Sequence, residues 1–378
     1  MRDGTRTQIE DRRLNILAFE THDSGSHREV RRAIQKHGRH DWRWVTRPGR
    51  SWKWRMRTGA AELVQEARRM DLLGEGAEWK PDVIFATSLI SMGDLVALLP
   101  PGLRSLPSVL YMHENQVAYP VRTEMGAGGE RDLHFPVTNL MSMLAADLVL
   151  WNSRWNLDSF CSGIGEVLRH CGDGMLEEPV STIRNRSDVA WPPVEDPGLN
   201  SGGDEVLHNT PVVVWPHRWE HDKGPDELLE LARDARAGGM KLEWILLGEC
   251  RGEVPGEINT FLDEFKEDII HAGYIEDRSD YLGMLSRADW VLSTARHEFF
   301  GVAVAEAILA GCLPWLPGRL SYPEITPTSA HGISPANPPG DLIAVQEACR
   351  RHLEPCEAGK AVMRLDVLIS QIAGRTSC

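Results

Sequence analysis

Two glutamates stand in an otherwise largely apolar stretch, HEFFGVAVAEAILAG, at residues 297–311. Glu298 and Glu306 lie eight residues apart, and carboxylates are poor core residues, so this segment is a candidate binding element. On a helix, eight residues span roughly 12 Å, which is wider than the roughly 5–9.5 Å between the paired carboxylates of a glycoside hydrolase. The spacing suits two contacts at opposite ends of one long ligand, such as a nucleotide sugar. The alternative is a first-turn acid favoured by the helix dipole, followed by an exposed helix residue.

A second candidate is the charged segment WPHRWEHDKGP at residues 215–225. Its Arg218 and Lys223 follow a predicted strand and precede a predicted helix. A guanidinium fork and an ammonium point charge are suited to binding a diphosphate. A diphosphate gains negative charge as it leaves during sugar transfer, so fixed cations would stabilise the transition state more than the ground state. A solvent-exposed charged turn is the alternative.

Two segments of the N-terminal half could also contact a ligand. ETHDSGSH (20–27) offers backbone N–H groups near a helix N-terminus, although it is not a GxGxxG loop. YMHENQVAYP (111–120) places four polar residues directly after a predicted strand: His113, Glu114, Asn115 and Gln116. The pattern is not HExxH, and we expect no zinc site from it. The alternative is a hydrogen-bonded structural loop.

These segments are separated by short apolar runs that alternate with helix-like stretches, as in doubly wound α/β folds. Strands are predicted at 15–19, 83–87, 109–112, 148–151, 211–215, 242–247, 271–274 and 290–293. Helices are predicted at 28–37, 91–99, 138–146, 225–235, 281–287 and 301–310. The pattern indicates two Rossmann-like domains facing across a cleft, where such folds bind ligands.

The length and composition agree with two globular domains. A chain of 378 residues exceeds the roughly 250–300 residues that one core usually serves. We place the N-terminal domain at 14–195, a Gly-, Pro- and acid-rich connection near 165–210, and the C-terminal domain at 211–378. The polar N-terminus resembles no signal peptide, and seven scattered cysteines without a CxxC pair favour reduced thiols in a cytoplasmic protein. No apolar run reaches the roughly 18 residues of a membrane span.

The charge is unevenly distributed. The formal net charge is −14, but residues 28–57 contain eleven Lys or Arg against two acidic residues, a net of +9, so the remainder carries −23. The same stretch contains Trp42, Trp44, Trp52 and Trp54. Basic residues interleaved with aromatics can follow a phosphate backbone and stack on bases. The alternative is a solvated basic helix followed by a Trp-rich loop packed on its own domain.

Taken together, the small-residue loop, the R-x4-K-G pattern at 218–224 and the E-x7-E pattern at 298–306 resemble the retaining GT-B glycosyltransferases of family four. SWKWRMRT (51–58), YMHENQVAYP, WPHRWEHDKGP and STARHEFFGVAVAEA (293–307) are similar more closely to the tRNA-queuosine mannosyltransferases. The resemblance runs from about residue 15 to 324, and leaves out the connection at 165–210 and the tail beyond about 330.

The resemblance implies transfer of mannose from GDP-mannose to the cyclopentene hydroxyl of queuosine in the anticodon of tRNA-Asp, without a metal ion. It implies that Arg218 and Lys223 bind the diphosphate, that Glu298 contacts the mannose hydroxyls and that Glu306 contacts the ribose. His113 would lie near the reacting sugar. Further donor contacts would come from Gly25, Ser26, Gly248, Phe300 and Gly301. With no nucleophile expected on the reacting face, the transfer would proceed by front-side attack.

The resemblance also gives the basic, Trp-rich segment an expected partner, because an anticodon loop presents bases on which aromatic side chains can stack. The expected tRNA contacts are His27, Arg43, Arg47, Arg50, Trp52, Lys53, Trp54, Arg55 and Arg57, with Glu114, Asn115 and Gln116 near the acceptor base. Trp52 or Trp54 could instead be buried structural residues.

Two other functions stay open at the level of sequence. One is a GT-B glycosyltransferase with a glycolipid, polysaccharide or small-molecule acceptor. Membrane docking is disfavoured because residues 28–37 have few apolar residues opposite their basic ones. The other is a catalytically silent tRNA-binding module. The oligomeric state cannot be inferred from the sequence.

Overall fold

The computed structural model describes residues 12–74, 76, 78–119, 132–171, 176, 178–196, 208–250 and 252–375. These residues form two compact units. Unit 1 comprises the chain up to Pro193 together with the segment from Ala358 onward, and unit 2 runs from Val194 to Glu357. Among the described residues, no helix is both long and apolar enough to cross a membrane.

Unit 1 is built on a six-stranded sheet in the order β2-β1-β3-β4-β5-β6, and all of its strand pairings are parallel. The strands are β1 (Asn15–Asp23), β2 (Asp41–Pro48), β3 (Val83–Thr87), β4 (Ser108–Met112), β5 (Leu148–Trp151) and β6 (Ser187–Val189). Its helices are α1 (Gly25–His37), α2 (Trp52–Arg69), α3 (Met92–Leu98), α4 (His134–Ala145), α5 (Arg154–Leu168), α6 (Pro179–Asn185) and the last helix of the chain, with short 3-10 turns at Pro101–Leu103 and Arg169–Cys171.

Unit 2 is built on a five-stranded parallel sheet in the order β11-β10-β7-β8-β9. The strands are β7 (Val212–Pro216), β8 (Glu243–Leu247), β9 (Ile269–Gly273), β10 (Trp290–Leu292) and β11 (Leu313–Trp315). Its helices are α7 (Pro225–Ala237), α8 (Gly256–Glu264), α9 (Arg278–Leu285), α10 (Val302–Leu309), α11 (Tyr322–Ile325) and α12 (Leu342–His352). The 3-10 turns are His221–Lys223, Lys266–Asp268, Thr328–Ala330 and Glu354–Cys356.

The central strands are largely apolar because both of their faces are covered. In β1, Leu17 and Phe19 point into one buried cluster, whereas Ile16 and Ala18 point into the cluster on the opposite face. Every residue of β3, β4 and β7 is buried. The eight predicted strands and six predicted helices are all present, with bounds that differ by a few residues, which confirms the doubly wound α/β class.

The segment around residues 41–69 differs from its predicted alternative. The Trp-rich part is not a loop: residues 41–48 form the edge strand β2, and α2 begins at Trp52. In β2, Trp42 and Trp44 stack on each other with ring centroids 5.5 Å apart. Both tryptophans pack against the cluster that contains Phe85. Their alternation on one face of a strand accounts for their spacing in the sequence.

The chain also departs from the predicted domain organisation in two places. Part of the predicted connection at 165–210 belongs to unit 1. It contains helix α6 and strand β6, and β6 pairs with β5 at the edge of the sheet. The last helix, α13 (Ala358–Arg375), belongs to unit 1 rather than to a C-terminal domain at 211–378. Its apolar positions repeat at helical spacing and pack with Ile16, Val30 and Phe85; they are Val362, Leu365, Leu368, Ile369 and Ile372.

Polar contacts fix α13 against the N-terminal part of unit 1. Asp366 accepts a hydrogen bond from the backbone N–H of Arg39 at 2.9 Å, and Ser370 accepts one from the Arg39 guanidinium at 2.7 Å. Buried His40 lies 3.3 Å from the Ser370 hydroxyl. These contacts join residues more than 320 positions apart, which is why no local pattern predicts them.

We predict that Ile369→Ala lowers the free energy of unfolding by about 2–5 kcal/mol, because it leaves a cavity where a fully buried side chain packs α13 onto unit 1. Met363, on the same helix, is 66% exposed, so Met363→Ala should change stability by less than about 0.5 kcal/mol. Urea denaturation monitored by circular dichroism measures both. Equal stability of the two variants would show that α13 does not pack as described.

Candidate active site

The loops that follow β7 and β10 place a lysine beside a glutamate. Lys223 Nζ lies 3.4 Å from Glu298 Oε2 and 3.3 Å from Asp222 Oδ2. The same nitrogen donates to the carbonyl oxygen of His297 at 2.8 Å. Strands β7 and β10 are neighbours although they are far apart in sequence, which makes this edge the topological switch point of unit 2. The structure therefore brings together two of the predicted site residues, Lys223 and Glu298, where parallel sheets bind ligands.

The turn that carries Lys223 depends on a glycine. Gly224 has φ +66, and a Cβ at this position would lie 2.2 Å from the carbonyl oxygen of Thr294. The close approach lets the Thr294 hydroxyl donate to the carbonyl oxygen of Lys223 at 2.7 Å and accept from Trp215 Nε1 at 2.9 Å. The loop after β7 is thereby fastened to the loop after β10, so Lys223 is held in a fixed position.

Lys223 and Glu298 are both charged. Burial lowers the pKa of Lys223, but the carboxylates of Glu298 and Asp222 outweigh it and leave that pKa raised. Burial raises the pKa of Glu298, but Lys223 outweighs it and leaves that pKa lowered. Two neighbouring imidazoles behave differently. Burial, followed by the charge of Lys223, lowers the pKa of His217 to about 3 and that of His297 to about 4, so both are neutral at neutral pH.

Arg218 lies in the same loop and is 43% exposed, with its guanidinium 3.3 Å from the Glu220 carboxylate. Its charge contributes, after burial and Lys223, to the low pKa of His217. Gly248, at the end of β8, has φ +141, and a Cβ there would lie 1.9 Å from the carbonyl oxygen of His217. The predicted donor residue Gly248 is thus also what allows two loops of the site to pack directly on each other.

Phe300 and Gly301 lead from Glu298 into α10. The Phe300 side chain is buried, so any contact between Phe300 and a ligand has to come from its backbone. Gly301 precedes α10 with φ +93, and a Cβ there would approach the ring of Tyr322 to 3.2 Å. This glycine allows the sharp turn from the loop of Glu298 into the helix that carries Glu306.

Glu306 is buried on α10, where its carboxylate is bound by two residues of α9. One oxygen accepts from Arg278, and the other accepts from the Tyr281 hydroxyl at 3.0 Å. Burial, reinforced by the Glu306 charge, raises the pKa of the Tyr281 hydroxyl well above its ordinary value. Glu306 is therefore not the exposed helix residue of the alternative interpretation. Arg278 and Tyr281 were not predicted from the sequence as partners of Glu306, although their spacing of three on a helix places them on one face.

In unit 1, strand β1, helix α1 and the loop after β4 bring together Glu20, His27 and His113, all of them buried. Glu20 Oε2 lies 3.0 Å from His27 Nδ1, and the His27 and His113 rings stack with centroids 3.8 Å apart. The structure thus joins the predicted residues His27 and His113. Glu20, the first residue of the segment 20–27, joins them, although the sequence did not predict it as a site residue. The signal for it was a carboxylate near the end of an apolar strand.

A glutamate with two histidines is in composition a metal-binding set. The arrangement does not fit a single ion, however. The lone pairs of an imidazole lie in the plane of the ring, and the planes of His27 and His113 are stacked and only 22° apart. Their nitrogens therefore cannot both point at one ion in the observed positions.

The HENQ loop after β4 combines buried and half-buried residues. Asn115 is fully buried and donates to Asn156 and Ser159 while accepting from the backbone N–H of Ala118. Asn115 is therefore a structural residue of the loop, as in the alternative interpretation, because its buried side chain cannot contact an acceptor. Glu114 is half-buried and accepts from the Gln116 side chain at 2.9 Å.

The start of α1 contains the other two residues that were expected to line the donor. Gly25 has φ +51 and begins α1, and a Cβ there would meet nothing within 4 Å. Ser26 is exposed. The space next to Gly25 is therefore open, as a phosphate contact with backbone N–H groups requires.

The basic segment divides into residues with internal partners and residues that face solvent. Arg43 lies 4.5 Å above the Trp79 ring, Arg47 pairs with Glu62 and Glu66, and Arg55 pairs with Glu62. The charges of Arg47 and Arg55 are therefore compensated within unit 1, whereas Arg43 is exposed beside an uncharged ring.

Residues at the start of α2 are more accessible. Arg50 and Lys53 are exposed, and the Trp54 side chain is 65% exposed. Trp52 instead packs on Phe135, with ring centroids 5.1 Å apart. Arg57 lies above the same Phe135 ring and pairs with Asp132.

Comparison with solved structures defines the fold. Over nearly the whole chain, the fold is similar to Anabaena HepE in complex with UDP (14% identity, TM-score 0.57, 95% of each chain). It is also similar to sucrose-phosphate synthase from Thermosynechococcus elongatus (14%, 0.56, 96% of this chain and 97% of that one). A glycosyltransferase from Rickettsia africae gives a TM-score of 0.60 at 14% identity, covering 96% and 98% of the two chains. The chain therefore has the GT-B fold, as its motifs predict.

Sequence comparison identifies the family. The family model described as tRNA-queuosine alpha-mannosyltransferase N-terminal matches residues 15–194. A tRNA-queuosine alpha-mannosyltransferase of Drosophila melanogaster is 32% identical over 322 residues, which cover 83% of this chain and 82% of that protein. The chain belongs to the tRNA-queuosine alpha-mannosyltransferase family, which confirms the resemblance inferred from its motifs.

We predict that Tyr281→Phe lowers the free energy of unfolding by about 1–3 kcal/mol, because it removes a buried hydrogen bond to a charged carboxylate. Tyr274→Phe is the matched control, since Tyr274 is 62% exposed and should tolerate the change within about 0.5 kcal/mol. Urea denaturation of both variants gives the comparison. A Tyr281→Phe variant as stable as the control would contradict the observed bond to Glu306.

Proposed function

We propose that this protein transfers mannose from GDP-mannose to the cyclopentene hydroxyl of queuosine at the wobble position of tRNA-Asp, with retention of configuration. The observation that carries the proposal is the fixed pair of Lys223 and Glu298 at the switch point of unit 2. Membership of the tRNA-queuosine alpha-mannosyltransferase family supports the acceptor. The reaction takes place in the cytoplasm, where it meets tRNA, and needs no membrane.

Lys223 and Arg218 stabilise the departing GDP. Lys223 is charged and held in place before any donor binds, by hydrogen bonding to His297 and by its carboxylate neighbours. A cation in a fixed position needs little reorganisation as charge develops on the leaving phosphate. Arg218 is more exposed, and its planar fork suits the bidentate contact that a diphosphate offers. The two cations fill the role that other transferases give to a metal ion.

Glu298 has a second function beside its pairing with Lys223. A carboxylate next to the diphosphate cations accepts hydrogen bonds from mannose hydroxyls and holds the sugar in register. In the front-side mechanism, the acceptor oxygen bonds to the anomeric carbon on the face from which the diphosphate leaves, as the bond from that carbon to the phosphate oxygen breaks, so no protein nucleophile is needed. An oxygen of the leaving phosphate takes the proton of the acceptor hydroxyl. Glu306, held by Arg278 and Tyr281, contacts the ribose at the other end of the donor. Gly248, Phe300 and Gly301 supply backbone next to it.

In unit 1, His113 contacts the reacting sugar or the acceptor hydroxyl, and Gly25 with Ser26 approaches the donor phosphate. The tRNA lies on the exposed start of α2, where Arg50 and Lys53 contact phosphates and Trp54 stacks on a base. Arg47 and Arg55 are already paired with glutamates of α2, so they have less charge to offer the tRNA than Arg50 and Lys53.

We predict that Lys223→Ala and Arg218→Ala each lower the rate of mannose transfer to queuosine-containing tRNA by roughly 10²–10³ or more, since each removes a cation that stabilises the leaving diphosphate. Arg233→Ala is the control, because this arginine forms an exposed pair with Glu264 on the helices of unit 2. Transfer of labelled mannose is measured, and circular dichroism checks that each variant is folded. Full activity of a folded Lys223→Ala variant would exclude the proposed role.

The binding constant for tRNA falls as the salt concentration rises, so a plot of log K against log salt has a negative slope. We predict that Lys53→Ala makes this slope less steep by about 0.7–0.9, the value for one lost phosphate contact. Trp54→Ala should weaken binding by about 1–3 kcal/mol without changing that slope, because stacking carries no counterion release. Arg351→Ala, at an exposed pair with Glu347 in unit 2, removes the same charge elsewhere and should bind like the wild type. Filter binding over a range of salt concentrations measures all three. If both Lys53→Ala and Trp54→Ala bound tRNA as the wild type does, α2 would not be the tRNA surface.

A further inference from the structure

A buried carboxylate in unit 1 has a role that the proposed reaction does not yet explain. Glu20 is 1% exposed, next to the end of an apolar strand. One of its oxygens accepts from the backbone N–H of His22 at 2.6 Å, and the other lies 3.0 Å from His27 Nδ1. A buried carboxylate without a compensating positive charge is costly. The hydrogen bond to His27 offers that charge directly.

The stacking of His27 on His113 limits how many protons the two rings hold. Their centroids are 3.8 Å apart, so two imidazolium ions here would repel each other strongly. His27 has Glu20 as its partner, whereas the buried Nε2 of His113 has no hydrogen-bond partner within the described chain. The positive charge therefore belongs on His27, and His113 is left neutral.

The other charged groups around the cluster favour the same arrangement. On β1, Asp23 adds negative charge near His27, and after β4, Glu114 does so too. Burial lowers the pKa of His27, but Glu20, with help from these two acids, outweighs it and leaves the pKa raised. For His113, burial comes first, and the charges of His27 and His22 add to it, so its pKa lies well below the ordinary value.

We propose that Glu20 is a positioning residue that holds His27 as an imidazolium against the face of His113, and so keeps His113, the residue expected to meet a substrate hydroxyl, neutral. The proposal deepens the proposed function and rests on it for the identity of that hydroxyl, on the donor sugar or the acceptor. A neutral imidazole can donate or accept a hydrogen bond at its free nitrogen, whereas an imidazolium can only donate. Glu20 would therefore act on the reaction through His27 without touching the substrate.

The direct test is a histidine titration by NMR of the free protein with labelled imidazole nitrogens, with resonances assigned through His27→Gln and His113→Gln. In the wild type, His27 should stay protonated above the pH at which an ordinary histidine loses its proton, and His113 should stay neutral into the acid range. Glu20→Gln removes the carboxylate, so the pKa of His27 should fall and that of His113 should rise as its charged neighbour is lost. Glu29→Gln, at an exposed glutamate on α1, should leave both titrations unchanged. A His27 resonance that titrates identically in wild type and Glu20→Gln would overturn the proposal.

Kinetics gives a second, separate readout. Glu20→Gln should lower kcat for mannose transfer about ten- to a hundredfold while changing the KM for GDP-mannose less than about twofold, and Glu20→Asp should recover part of the rate. If Glu20→Gln does not fold, His27→Gln serves instead, and the His113 resonance should then titrate at higher pH. A wild-type protein without transferase activity would defeat the proposed function, whereas the NMR titration would still decide the role of Glu20. Normal kcat in a folded Glu20→Gln variant would contradict that role.

Discussion

The site in unit 2 depends on a lysine that is kept charged while it is nearly buried. Removing an ammonium group from water is costly, and the free energy is recovered here by two carboxylates and a backbone carbonyl oxygen arranged around Lys223. This arrangement needs the loops after β7 and β10 in contact. Position 224 must therefore be glycine, because the Cβ of any other residue there would collide with Thr294. It also requires His217 and His297 to be neutral, since more positive charge would work against Lys223. The order of the strands follows the same requirement, because only neighbouring strands can bring these loops together.

The two units hold charge in different ways. In unit 2, Lys223 is a permanent cation that two carboxylates hold in place, and the more exposed Arg218 is a second cation in the same loop. In unit 1, Glu20 and His27 form a pair whose charge depends on a proton, and His113 lies against it. In the proposed reaction, the cations of unit 2 stabilise the leaving group, and His113 of unit 1 forms a hydrogen bond to a hydroxyl.

Much of this fold can be predicted from the sequence, because parallel strands buried on both faces read as short apolar runs and the polar residues after them mark the edge that binds ligands. Lys223 and Glu298 were found in that way, and the family resemblance supplied their expected roles. The packing of α13 on unit 1 could not be found, since its partners Ile16 and Phe85 are hundreds of residues away. The same holds for the bonds of Glu306 to Arg278 and Tyr281, which depend on how two helices pack. Composition locates a basic segment, but it cannot tell Arg47, which is paired with two glutamates, from exposed Lys53.

The central claim is that this chain adds mannose to queuosine in tRNA. Its most direct test is mass spectrometry of the nucleosides released from queuosine-containing tRNA-Asp after incubation with the protein and GDP-mannose. We predict that queuosine gains the mass of one hexose with GDP-mannose and gains none with UDP-glucose or UDP-galactose. We also predict no gain on tRNA that carries guanosine at the wobble position. Unchanged queuosine in the presence of GDP-mannose, or transfer to the tRNA that lacks queuosine, would contradict this claim.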